Sequence, residues 1–316
     1  MTTPAPTGVW PVMLTPFDAD GRVDLAVLDR YTDWLIDQGA AGLFPVALSG
    51  EMYELTPLER LLVAERVVHR AAGRVPVAAA IASAGTDEEV ADAVGRLAAT
   101  GVDIVVLVAS VALAEGEPDQ RLLDLVDVVA AANPDVALGV YECPMPYHRV
   151  LRDETVGALA ETGRFAFFKE TSHDVGRMAT RVWFAEGTPL RVFDAGIETL
   201  AQSVAAGTAG LSGWIANVHP DAVARLIDLV RAEGASPRAL ALQAALGAAE
   251  QAMGPTYPAS AKVLVDLRSG IGFAPRSRWR PAEVVPAELA DLLAQTEREV
   301  AAALALVSSP TARVGG

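Results

Sequence analysis

Eight times along this chain, a short apolar run rich in β-branched residues ends at turn residues and gives way to a stretch with apolar positions spaced near 3.6 residues. The runs cover residues 9–14, 42–46, 75–81, 104–108, 137–141, 165–169, 191–193 and 210–213. The helical stretches between and after them cover 25–38, 57–72, 87–99, 120–132, 153–161, 175–185, 197–206 and 220–233. Parallel strands covered by helices are buried on both faces, so they need continuous apolar runs instead of alternation. Eight such units predict an α/β fold, a closed (β/α)8 TIM barrel, with a doubly wound open sheet as the rival. A length of 316 residues suits one barrel.

Two helix starts carry their own signals. Thr56-Pro57-Leu58-Glu59 places a capping hydroxyl, a proline at the first helical position and a glutamate three residues after the cap; Thr86 and Glu89 repeat that spacing. After Glu233 only helical patterns follow, at 237–252, 259–267 and 287–306. The expected organisation is a barrel over 1–233, a helical extension packed on it over 234–307, and a disordered tail over 308–316.

Several function classes are excluded early. A formal net charge of −15 disfavours nucleic acid and anionic membranes as partners. No apolar run is long enough to span a bilayer, and MTTPAPTG lacks the pattern of a secretion signal. A single cysteine, Cys143, admits no internal disulfide and suits a reducing cytoplasm. No histidine–carboxylate group has metal-ligand spacing, and no phosphate-cradling glycine loop is present, so neither a metal nor another cofactor is expected.

The basic residues direct attention to one position. Of 25 lysines and arginines only two are lysine, Lys169 and Lys262. Arginine stays protonated in a protein, whereas a buried lysine can lose its proton and become a nucleophile. Lys169 ends the run Phe165-Ala166-Phe167-Phe168. If it points inward, poor solvation lowers its pKa and leaves a neutral amine able to form an imine with a ketone. The alternative is a strand-end lysine paired with Glu170 or Asp174. Active sites of parallel barrels form at the C-terminal ends of the strands, where Tyr141 and Ser49-Gly50 also fall. A phenol can shuttle protons, and a hydroxyl beside exposed backbone N–H groups can bind a carboxylate. Each residue has a plain structural reading as well: a barrel plug for Tyr141, a common small-residue turn for Ser49-Gly50, a solvated surface for His69, a helix start for His173 and a buried thiol for Cys143.

Taken in order, these segments resemble the dihydrodipicolinate synthase and N-acetylneuraminate lyase family across about the first 270 residues. Trp10-Pro11-Val12-Met13-Leu14-Thr15-Pro16-Phe17 is similar to its first strand, and Ala47-Leu48-Ser49-Gly50-Glu51 to its Gly-Thr-Thr-Gly-Glu type turn. Tyr141 and Lys169 fall at the proton-relay tyrosine and the imine lysine. Ala216-Asn217-Val218-His219-Pro220 and Tyr257-Pro258 through Lys262 resemble later segments, which makes Lys262 structural. The resemblance implies a homotetrameric, metal-independent class I lyase in which pyruvate, or a larger 2-oxo acid, forms an imine with Lys169. It implies that Ser49 and Gly50 hold the carboxylate, that Tyr141 moves protons, that Thr171 and Ser212 line the pocket, and that Glu51 organises its turn.

Departures from the family pattern are equally specific. Leu48 replaces a relay hydroxyl, Val111-Ala112 replaces a tyrosine pair, and the arginine for a second carboxylate falls near Pro146, with His148 and Arg149 close by. The imine half of the site persists while the second-substrate half does not, which argues against lysine biosynthesis. The side chains expected at the mouth are Leu48, Val111, Leu113, Met145, Pro146, Tyr147 and Trp214. They suggest an aldehyde partner of aromatic or aliphatic character, unless they pack on one another or on a neighbouring subunit. A hydratase-aldolase or sugar-acid dehydratase using the same imine, and an impaired 2-oxo-acid-binding or structural member, are the alternatives.

Overall fold

A computed structural model describes residues 2–280 and 285–308. Seven strands form one parallel sheet: β1 (Gly8–Val9), β2 (Ala78–Ile81), β3 (Ile104–Val108), β4 (Leu138–Tyr141), β5 (Phe165–Glu170), β6 (Arg191–Asp194) and β7 (Gly210–Leu211). Their order is β1-β7-β6-β5-β4-β3-β2. Segment 40–46 fills the gap between β1 and β2, bridging in parallel from Ala40 to Val9 and from Leu43 to Val77. Its amides complete the circle: Phe44 N donates to Pro11 O at 2.9 Å and Leu43 N to Pro76 O at 3.0 Å. The expected closed barrel of eight units is therefore present.

The expected second strand forms bridges without a regular ladder, and the first shrinks to two residues. Pro11, Pro45 and Pro76 lie along these seams and have no N–H to donate. Val46 then leaves the extended region at φ 53°, turning the chain into the short 3-10 helix Leu48–Gly50. Gly42 is required at the same seam, since a Cβ there would lie 2.4 Å from the Trp10 ring.

Helices fall close to their expected bounds because their ends are written locally. Pro57–Ala71 and Asp87–Ala98 both carry complete capping boxes, from Thr56 with Glu59 and from Thr86 with Glu89. Pro237–Met253, Ala259–Ser269 and Ala287–Ser308 follow the barrel. The tail expected over 308–316 lies outside the described residues, apart from Ser308, which closes the last helix. Among the described residues no helix is long and apolar enough to cross a membrane.

Inside the barrel, Phe167 is packed among Trp10, Phe44 and Phe193, with ring centroids 5.1, 5.7 and 4.8 Å away. This aromatic layer is the floor on which the strand ends stand.

Candidate active site

Alternation along β5 decides where its polar residues go. Phe165, Phe167 and Lys169 share one face, and Ala166, Phe168 and Glu170 share the other. Phe167 lies in the barrel core, so Lys169 points inward, two residues further along. Glu170 points outward, where its Oε1 meets the Arg181 guanidinium at 2.5 Å, and that guanidinium also stacks over Phe168 at 5.2 Å. Asp174 caps helix Val175–Ala185 by accepting from Gly176 N and Arg177 N. Both carboxylates that could have paired with Lys169 are therefore committed elsewhere.

Lys169 is 5 % exposed. Burial lowers its pKa to about 8, against an opposing pull from Cys143 and Glu250. Its Nζ lies 4.2 Å from the centroid of the Tyr141 ring. β4 and β5 pair with Tyr141 opposite Lys169, which places phenol and amine side by side. Burial, reinforced by Cys143, holds the Tyr141 hydroxyl well above the usual tyrosine range, so the phenol keeps its proton. The Cys143 thiol is likewise pushed up by burial.

Lys169 and Tyr141 line an inner cavity of about 480 Å³ that also receives Leu48, Ser49, Thr171, His148, His173, Trp214, Glu250, Tyr257 and Trp279. Ser49 stands at its wall beside the Tyr257 hydroxyl, which in turn accepts from Asn217 Nδ2 at 3.1 Å. Thr171 Oγ1 donates to Glu142 O at 2.7 Å and meets His148 Nε2 at 2.8 Å, so it orients that imidazole.

Two expected site residues sit differently. Gly50 does not line the cavity, and its N–H is engaged by Ala47 O at 3.0 Å. It is needed for close approach, because a Cβ there would come 2.8 Å from Met13 O. Ser212 is fully buried behind the cavity wall, its Oγ without a hydrogen-bond partner. Arg149 turns away to Asp119 and to Glu117 O, so it supplies no cation to the inner cavity.

Glu51 and Lys262 belong to a buried brace. Glu51 Oε1 accepts from Lys262 Nζ at 2.7 Å, and Oε2 accepts from Arg278 N, Trp279 N and Ser277 Oγ at 2.6 to 2.9 Å. The brace holds Trp279 against the cavity, a wall that no sequence signal announced. Glu250 and Tyr257 also come from beyond the barrel strands. A second cavity of about 700 Å³ shares Leu48 and Trp279 with the first, and collects Val111, Leu113, Met145, Pro146 and Tyr147 at the mouth. Among the described residues no cluster of three or more His, Cys, Asp or Glu is placed to hold a metal ion.

The sequence pattern described as the Dihydrodipicolinate synthetase family matches residues 5–260. The chain belongs to that family. An uncharacterised DapA-like lyase of Halobacterium salinarum is 34% identical over 298 residues, covering 90% of this chain and 93% of the relative. A 4-hydroxy-tetrahydrodipicolinate synthase of Roseobacter denitrificans is 33% identical over 171 residues, 54% of this chain and 57% of that protein. The fold is shared with a putative dihydrodipicolinate synthase family protein from Coccidioides immitis (TM-score 0.83, 22% identity, 98% of this chain and 100% of that one). It is shared too with a prophage protein of the same family from E. coli K12, solved in complex with pyruvate (TM-score 0.81, 20% identity, 93% and 98%). Family membership makes this protein a lyase of the class I aldolase group.

Proposed function

We propose that this dihydrodipicolinate synthetase family lyase binds pyruvate, or a 2-oxo acid derived from it, as an imine on Lys169 and makes or breaks a carbon–carbon bond through the enamine. The observation that carries this reading is an inward, buried Lys169 without a carboxylate partner, its pKa lowered to about 8 beside the Tyr141 phenol. A neutral amine attacks the ketone carbon. The resulting imine draws electrons from the neighbouring methyl, and loss of a proton there gives the nucleophilic enamine. Tyr141, still protonated, donates to and recovers protons from the carbinolamine and the product oxygen. Ser49, steadied by Tyr257, receives the carboxylate. The pyruvate complex of the E. coli relative supports the substrate class.

Leu48 and the apolar residues of the outer cavity favour an aliphatic or aromatic aldehyde as partner. The family resemblance supports a homotetramer, and one buried cysteine supports a cytoplasmic location.

Borohydride reduction in the presence of pyruvate tests the reading. The expected result is a reduced pyruvate adduct, located at Lys169 by peptide mass mapping and absent in Lys169→Ala. No adduct with any of several 2-oxo acids overturns it and leaves a non-catalytic member of the family.

A further inference from the structure

Glu250 has no part in the imine chemistry above, yet it faces the same cavity. It sits in the last turn of helix Pro237–Met253, is 4 % exposed, and lines the wall with Tyr257 and Trp214, within the field of Lys169. The C-terminal end of a helix carries partial negative charge, so a carboxylate is unfavourable there. Among the described residues no arginine lines the cavity to offset it. The ionisable groups around Glu250 are Glu198 and Asp194, both acidic, with Lys169, Tyr257, His148 and His173 on the walls of the same cavity. Oε2 accepts from Ile215 N at 3.1 Å and the Trp214 side chain donates to the same carboxyl group, which fixes that group at the cavity wall. Burial, with Glu198 adding to it, holds the group up near 8, so it is a carboxylic acid at neutral pH.

We propose that Glu250 is a further catalytic residue, the acid–base partner of the acceptor oxygen, and that the acceptor is an uncharged aldehyde. The proposal rests on the imine reading. In condensation the enamine carbon attacks the aldehyde carbon and the C=O π pair moves to oxygen. The Glu250 proton transfers to that oxygen, giving a hydroxyl and a glutamate carboxylate. Cleavage runs in reverse: the carboxylate takes the hydroxyl proton as the C–C bond breaks and the aldehyde leaves. Electrons and protons balance without any further reactant. A second substrate carboxylate would enter beside Glu250, in the field of Glu198 and Asp194 and with no arginine among the described residues lining the cavity, and is disfavoured. Glu250 thus places within this chain an acid function that the leucine at position 48 cannot serve.

The test uses Glu250→Gln, whose amide keeps the shape and the bond from Ile215 N, with pyruvate plus benzaldehyde or butanal as probes. Borohydride trapping of pyruvate on Lys169 is expected to match wild type within about twofold. The kcat for condensation is expected to fall about 10²- to 10⁴-fold. At saturating pyruvate, wild-type kcat for condensation declines above about pH 8, and that descending limb is missing from Glu250→Gln. Trapping with undiminished turnover in the variant overturns the role of Glu250. Loss of trapping in a folded variant also overturns it, because the residue would then act on Lys169. Wild type that traps pyruvate but turns over neither aldehyde overturns the acceptor class. Wild type that traps no 2-oxo acid overturns the imine reading itself.

Discussion

A lysine buried at the end of a barrel strand beside a tyrosine ring is costly to keep charged, and that cost is what prepares Lys169 for chemistry. With its pKa near 8, the fraction present as free amine rises about tenfold per pH unit below that value and levels above it. Initial rates of borohydride-trapped adduct formation should therefore climb from pH 6 to about 8 and then flatten. A rise continuing toward pH 10 would mean an ordinary lysine. At this scale the sequence was informative where a residue type was rare or a spacing was strict. Lys169 stood out because nearly every other cation is arginine, but its direction stayed open between two readings until Phe167, two residues earlier, was placed in the barrel core. Glu250 gave no signal, because a glutamate among alanines in a long helix reads as solvated face until the packing around it is known. Gly50 was placed in the right turn, but its N–H is consumed locally, a detail that depends on the 3-10 geometry and not on residue type.

At the scale of elements, the reverse sides of Tyr141 and Lys169 matter as much as their tips. Glu142 and Glu170 follow them directly and point outward onto Arg181, which reaches Glu142 at 3.1 Å, Glu170 at 2.5 Å and Asp153 at 3.0 Å while donating to Leu151 O. Arg181 is fully buried, so it pins the ends of β4 and β5 to helix Val175–Ala185. Removing the cation strands two carboxylates away from water. Arg181→Met is expected to cost about 3–5 kcal/mol in denaturant unfolding, and a loss under about 1 kcal/mol would count against this account. Helices were the legible elements, since capping residues act within four positions. Strand length was not legible at residues 9–14 and 42–46, because ladder regularity depends on which amide faces which carbonyl across the seam. The prolines there interrupt it from both sides.

For the whole molecule, burial of acids sets a pH dependence. Asp194 is raised to about 6 and Glu250 to about 8, each chiefly by burial. The native state therefore binds more protons than the unfolded chain between roughly pH 4 and 8, and stability falls as pH rises through that window. The net charge of −15 acts in the same direction, since self-repulsion grows as remaining acids ionise. The Tm should be lower at pH 8 than at pH 6, with a smaller drop in Glu250→Gln; equal values at both pH would contradict these protonation states. The Glu51 brace has a consequence of another kind, one of timing. Glu51 is bonded to the backbone of Trp279, 228 positions further along the chain. A chain grows from its N-terminus, so a nascent protein can own Lys169, Tyr141 and Ser49 long before it owns the wall that closes over them. A reactive amine is thus left unenclosed until the last portion of the chain emerges and docks.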